Sequence, residues 1–392
     1  GHRYGRLMQT IAGIHYNFSV PDELWQLLRD KESPDQSLQD FKTENYFSLI
    51  RNFRRHFWLL LYLFGASPSV CRSFVRDREH QLQPFGKDDH SLHMPNATSL
   101  RMGDLGYQSK AQDQLIVCYN DIRSYVETLR QALGKPYPDY EAIGLKDNNG
   151  NHLQLSPHLL QIENEFYSTV RPKRVTHSGE TPLSALWERG VEYVEVRCVD
   201  LNPFQPLGID REQMDFMDTF LLTCLLSQSP PTDNQEYHNI LENQHRMVYH
   251  GRDPELMLCD NQGERSVLEW GRTLFKEMTP VATLLDSHHQ SNRYTTTLEK
   301  LAKRLDNPEL TPSARILKEM TETGQTYFKV AMNHAKQHRE HFLSTELPKD
   351  IAEQYREMAA QSLQDQQEIE AVDQQPFDKF LADYYQQYNF PL

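Results

Sequence analysis

The sequence predicts an α+β fold, a mainly antiparallel sheet in the first half followed by a helical second half. Three observations support this. Period-2 segments occur only before about residue 202, no regular strand–helix–strand alternation links them, and beyond residue 210 apolar residues recur at three- and four-residue spacings. The expected division is a sheet-forming part, residues 1–205, and a helical part of the same domain, residues 206–392. With 392 residues, 38% of them hydrophobic, the chain can bury a sizeable core.

The first element is a strand over residues 10–18. Ile14, Tyr16 and Phe18 share its apolar face, and Gly13, His15 and Asn17 the polar one. The chain starts at Gly1 without a methionine and enters this strand almost at once, which reads as a cut. Pro21-Asp22-Glu23 opens a helix, and a second runs over about 40–64, where Tyr46, Phe47, Ile50, Phe53, Phe57, Leu60 and Leu61 fall at helical spacing. Gly65-Ala66-Ser67-Pro68 stops it, so the small residues there mark a helix end rather than a nucleophilic serine.

Residues 81–104, rich in Pro, Gly, Asp, His and Asn, read as a long surface loop. A helix follows near 116–134. An Asn149-Gly150 turn then precedes a second strand over 160–167, as in a hairpin or meander. The third strand, 191–201, lies between Gly190 and Asn202-Pro203. Helices are expected at roughly 211–228, 233–249, 264–285, 294–304, 313–322 and 324–344, with a solvated helical tail from about 347.

Composition removes several classes of function. The longest apolar run, Phe57 to Phe64, is far shorter than the roughly 20 residues of a membrane span, so no membrane partner is expected. A net charge of −14 repels polyanions, which argues against nucleic acid. The five cysteines are odd in number and lack C-x-x-C spacing, and no secretory signal precedes them; a reducing cytoplasm fits. Phosphate loops of the G-x-x-x-x-G-K-[ST] type, G-x-G-x-x-G, H-E-x-x-H and G-x-S-x-G are all missing.

Chemistry concentrates on the strands. Tyr193, Glu195 and Arg197 project from one face of the third strand, with Val194, Val196 and Cys198 on the other. A carboxylate and a guanidinium roughly 6–7 Å apart along a strand can bind a cation and an anionic group side by side; the alternative is a charged, solvent-facing sheet surface. His15 and Asn17 share a polar face where neutral imidazole could ligate a metal, although a lone strand histidine is more often structural. Arg171-Pro172-Lys173-Arg174 follows the second strand and could aim three cations at phosphates, or be an ordinary surface triplet. Arg101, in a loop of small residues, is uninformative alone.

In order along the chain, Arg3-Tyr4-Gly5, Met8-Gln9-Thr10-Ile11, Gly13-Ile14-His15-Tyr16-Asn17-Phe18-Ser19, Tyr62-Leu63-Phe64-Gly65-Ala66-Ser67-Pro68, Ala97-Thr98-Ser99-Leu100-Arg101 and Asp104-Leu105-Gly106-Tyr107 resemble the proteobacterial glutamate–cysteine ligase family. So do Leu160-Gln161-Ile162-Glu163-Asn164-Glu165, Arg171-Pro172-Lys173-Arg174 and Glu192-Tyr193-Val194-Glu195-Val196-Arg197, and more weakly Leu310-Thr311-Pro312-Ser313-Ala314-Arg315-Ile316-Leu317.

The resemblance implies a glutamine-synthetase-like fold, whose curved antiparallel sheet forms a funnel, and an ATP-dependent ligation of L-glutamate to L-cysteine in glutathione biosynthesis. It also implies Mg2+ or Mn2+ on His15 and Glu195, and Arg101 and Arg197 as catalytic groups facing the glutamyl phosphate and the glutamate carboxylate. Gln9, Tyr107 and Tyr167 would line the cysteine pocket, and Arg171 and Lys173 would face the nucleotide. The family carries a further N-terminal segment with acidic metal ligands that this sequence lacks. One carboxylate and one histidine do not complete the shells of two or three magnesium ions, so the expectation is a separate chain that completes the sheet, or an inactive fragment. A related ligase using another amine is a further alternative.

Overall fold

The computed structural model describes residues 3, 10–76, 78–86, 90–106, 110–112, 115–261 and 263–392. Strand β1 (Ile14–Phe18) keeps the predicted alternation, with Ile14, Tyr16 and Phe18 against the core and His15 and Asn17 exposed. Helix α1 (Asp22–Glu32) follows. The long helix predicted over 40–64 is two: α2 (Leu38–His56), capped by the Ser37 side chain on Asp40 N, and α3 (Trp58–Phe64). They meet at Phe57, which caps both, and Gly65 ends the second.

The region expected to be a surface loop is not one. β2 (Ser69–Cys71), β3 (Gln83–Phe85) and β4 (Ser91–His93) form a sheet in the order β2-β4-β3, and Ser91, Leu92 and the run from Ala97 to Leu100 are buried. Strands of three residues are too short to show a period, which is why the pattern was invisible in sequence. Helices α4 (Ile122–Gly134) and α5 (Pro138–Ile143) come next.

The strand predicted over 160–167 is also overturned: Glu163–Glu165 is a 3-10 turn. Its alternating polar residues do not line a sheet face but accept hydrogen bonds from other parts of the chain. Gln161 Oε1 accepts from Leu155 N at 2.6 Å, and Glu163 accepts from Leu183 N at 2.7 Å and from Tyr388 Oη at 2.6 Å. The Asn149-Gly150 turn exists, with Gly150 at φ 83, but closes only a single bridge between Lys146 and His152. The true strand is β5 (Val170–Lys173), so the basic run lies in a strand instead of following one. After α6 (Pro182–Arg189) comes β6 (Tyr193–Val199), as predicted.

The helical half contains α7 (Arg211–Leu226), α8 (Asn234–His250), α9 (Val267–His289), α10 (Arg293–Asp306), α11 (Pro312–Thr323), α12 (Tyr327–Ser344), α13 (Lys349–Val372) and α14 (Phe377–Gln386). One antiparallel hairpin, β7 (Met257–Asp260) with β8 (Gly263–Ser266), fills the gap between the helices predicted over 233–249 and 264–285 and takes the first residues of the latter. Asp210, Asp233, Ser266, Thr311 and Thr326 cap the helices that follow them. Among the described residues no helix is long and apolar enough to cross a membrane.

The sheet that matters for chemistry has the order β1-β6-β5, both pairs antiparallel. Val170, Val194 and Val196 point into the core, where α2 lies against β5, β6 and α7. Tyr16, on the same apolar side, donates from Oη to Asp218 of α7 at 2.6 Å. Register slips by one residue between Ile14↔Val199 and Tyr16↔Val196, a bulge opposite His15 that adds local twist. Among the described residues the small antiparallel sheets do not close into a barrel.

Candidate active site

Cross-strand pairing sets Asn17 and Arg171 on either side of Glu195, and Lys173 beside Tyr193, so one polar face carries His15, Arg171, Lys173, Glu195 and Arg197. Glu195 is the hub. Its Oε1 accepts from Arg197 Nη1 at 3.2 Å, and its Oε2 lies 3.8 Å from Lys173 Nζ and 3.9 Å from His15 Nδ1. The expectation that Glu195 and Arg197 stand apart, each free for a ligand, is therefore corrected. Long side chains lean along a strand and close the gap set by the backbone.

Three cations surround one carboxylate on this face, inside a protein whose net charge is −14. The surplus suits a polyanion such as a phosphate chain. Burial, then the Arg197 charge, hold the His15 imidazole below its ordinary value, with Glu195 opposing. A neutral ring keeps a lone pair for a metal. Lys173 is likewise held down, first by burial, against the pull of Glu195.

The basic run does not act as a triplet. Arg171 is buried, and its Nη2 donates to the carbonyls of Asn164, at 2.9 Å, and Phe166, pinning the turn before Tyr167. Arg174 turns away to Arg189 O at 2.9 Å and Gln39 Oε1 at 3.3 Å, while Lys173 brings its ammonium to 3.8 Å from Glu195.

Arg101 is clamped. Its Nε donates to Asp200 Oδ1 at 2.6 Å, and Nη1 and Nη2 lie 3.4 Å from the Arg197 carbonyl. Asp200 is itself fixed by Ala66 N and Ser67 Oγ, both at 2.8 Å, and by Ser99 Oγ at 3.0 Å. Gly13 makes the approach feasible, because a Cβ there would fall 2.6 Å from Arg101 Nη1.

Beside the polar face opens a cavity of about 450 Å³. His15, Arg197 and Tyr167 line it, so three expected residues converge. Glu195, Lys173, Arg171 and Arg101 do not line it, although Glu195 touches both His15 and Arg197. Gln9 and Tyr107 lie outside the described residues. The far wall, from α2, α8 and the 115–119 segment, contributes residues that sequence reading passed over: Arg54, Tyr119, Tyr237 and His245. Arg54 shares α2 with Arg51 and Arg55, and nothing in the spacing separates them. Among the described residues no group of three or more His, Cys, Asp or Glu could hold a metal. His15 and Glu195 form only a partial donor set. Magnesium bound mainly by phosphate oxygens and water needs only one or two carboxylates from protein, so the pair fits such an ion.

Residues 1–247 match the family model described as glutamate–cysteine ligase. The glutamate–cysteine ligase of Saccharophagus degradans is 51% identical over 389 residues, covering 99% of this chain and 73% of that protein. That of Alcanivorax borkumensis is 47% identical over 389 residues, covering 98% and 74%. A solved glutamate–cysteine ligase from Francisella tularensis, in complex with AMP, superposes with a TM-score of 0.89 at 34% identity, covering 98% of this chain and 74% of that one. A bifunctional glutathione synthetase from Pasteurella multocida, at 21% identity and a TM-score of 0.61, shares the fold over 86% of this chain and 38% of its own. A separate completing chain finds no support among these proteins.

Proposed function

Since the chain belongs to the glutamate–cysteine ligase family, we propose that it joins the γ-carboxylate of L-glutamate to the amine of L-cysteine, using ATP and passing through γ-glutamyl phosphate. The observation that carries this reading is the cation-rich sheet face around Glu195 opening onto a cavity that Arg197, His15 and Tyr167 line.

In this reading the glutamate γ-carboxylate attacks the γ-phosphorus of ATP, ADP leaves, and the cysteine amine displaces phosphate from the acyl carbon. Arg197 binds the glutamate carboxylate, with its guanidinium held by Glu195. Lys173 offers its charge to the nucleotide phosphates, while Arg171, being buried, contributes its field and the position of the 164–166 turn. Arg101, clamped by Asp200, presents a fixed positive charge toward the developing oxyanion. Tyr167 lines the acceptor pocket. Magnesium, or manganese, held by Glu195 with His15, would neutralise phosphate charge. Five free thiols agree with a cytoplasmic setting.

The test is ADP release with glutamate, cysteine, ATP and Mg2+. One γ-glutamylcysteine should form per ADP, and hydroxylamine should trap the acyl phosphate as the hydroxamate. Glu195→Gln should raise the magnesium requirement and cut turnover by about 100-fold or more. Near wild-type turnover in that variant would remove Glu195 from its role.

A further inference from the structure

Helix α2 places three arginines close together, and two are fully engaged in structure. Arg51 donates to the carbonyls of Asn120, at 2.7 Å, and Ser229, at 2.9 Å. Arg55 forms a two-pronged pair with Glu236 at 2.7 and 2.8 Å. Arg54 differs. It lines the cavity, and among the described residues its only partners are two aromatic rings, Tyr119 at 4.7 Å and Tyr237 at 5.0 Å. It makes no hydrogen bond and no ion pair there.

A guanidinium stacked on aromatic faces keeps its edge N–H donors available while its plane is fixed. Tyr119 is itself immobilised, buried and with Oη 2.7 Å from Ser168 Oγ. The only carboxylate among the described lining residues, Asp104, faces His245 at 3.9 Å instead. The cavity wall thus holds a pre-oriented, unmatched cation among apolar neighbours such as Phe57, Ile240 and Leu241. One planar cation suits a single carboxylate. A nucleotide phosphate chain better matches the clustered charges of the sheet face. Ser168, which anchors Tyr119, directly follows Tyr167, so Arg54 stands on the acceptor side of the cavity.

We propose that Arg54 is a substrate-binding residue that receives the carboxylate of the amine-bearing substrate and makes the enzyme prefer an α-amino acid over a simple amine. This rests on the ligase reading above. The test follows ADP release by the wild type, Arg54→Gln and Arg54→Lys, varying in turn cysteine, cysteamine (the same amine and thiol without the carboxylate), glutamate and ATP.

Loss of a charge-assisted pair predicts a rise of about 10- to 100-fold in KM for cysteine in Arg54→Gln. Cysteamine kinetics and the KM values for glutamate and ATP should stay within about twofold, and Arg54→Lys should fall between, having charge without the fork. An unchanged cysteine KM, or a rise confined to ATP or glutamate, overturns the proposal. If Arg54→Gln does not fold, the cysteine-to-cysteamine ratio of Arg54→Lys decides by the same criterion. If the wild type ligates neither amine, the ligase reading itself fails.

Discussion

His56, at the end of α2, has an Nδ1 fully enclosed without a partner among the described residues, and its ring packs on Trp270 at 6.1 Å. Burial first, then the Arg55 charge, lower its pKa to about 4. The unfolded chain therefore takes up a proton that the native state refuses. Stability should be full above the ordinary histidine value and fall as pH drops toward 4, by at most about 3 kcal/mol. His56→Phe, which keeps a ring against Trp270, should flatten urea-melt stability between pH 7 and 4; an unaltered slope would show that other groups govern acid sensitivity. Such residues set the limit of sequence reading. Strand period put Glu195, Arg197 and His15 on polar faces correctly, because alternation is a backbone property. The engagement of Arg101 with Asp200, 99 positions away, and the availability of Arg54 depend on contacts that no local pattern encodes.

Elements were legible in proportion to their length. β1, β6 and the helices from α7 to α12 were predicted within a few residues, since each repeats its period several times. β2, β3, β4, β7 and β8 have three or four residues each and were missed, and Leu160 to Tyr167 imitated a strand because its polar residues alternate while capping other segments. The tail's composition predicts a solvated helix, and α13 has no buried residue, but the chain beyond α14 docks. Tyr388 donates to Glu163 at 2.6 Å, Gln387 exchanges bonds with Thr181 and Gly179, and Arg130 holds the Phe390 carbonyl at 2.7 Å. Glu163 fixes the turn that leads to Tyr167, so the C-terminus braces the cavity wall from behind. Tyr388→Phe leaves a buried carboxylate oxygen unmatched and should cost about 1–3 kcal/mol, seen as a lower melting temperature. An unchanged melt would make this docking peripheral.

At the scale of the whole molecule, the cavity joins parts that the sequence shows only separately: the polar sheet face from β1 and β6 and a wall from α2 and α8. Predicting α+β was within reach because strands cluster early and helices late. Predicting the junction was not, since α2 lies between the strands in sequence yet also packs on α7. A ligand bridging sheet and helices binds only the assembled state and must stabilise it, by about 2.7 kcal/mol at a hundred times its dissociation constant. For 392 residues this is about 3 °C in melting temperature. Calorimetry with ATP, glutamate and Mg2+ should show that shift, and chelation of the metal should remove most of it. Glu195→Gln should lose the magnesium-dependent part while keeping whatever the nucleotide alone confers. A full magnesium-dependent shift in that variant would place the ion on other groups and leave Glu195 as the anchor of Arg197 alone.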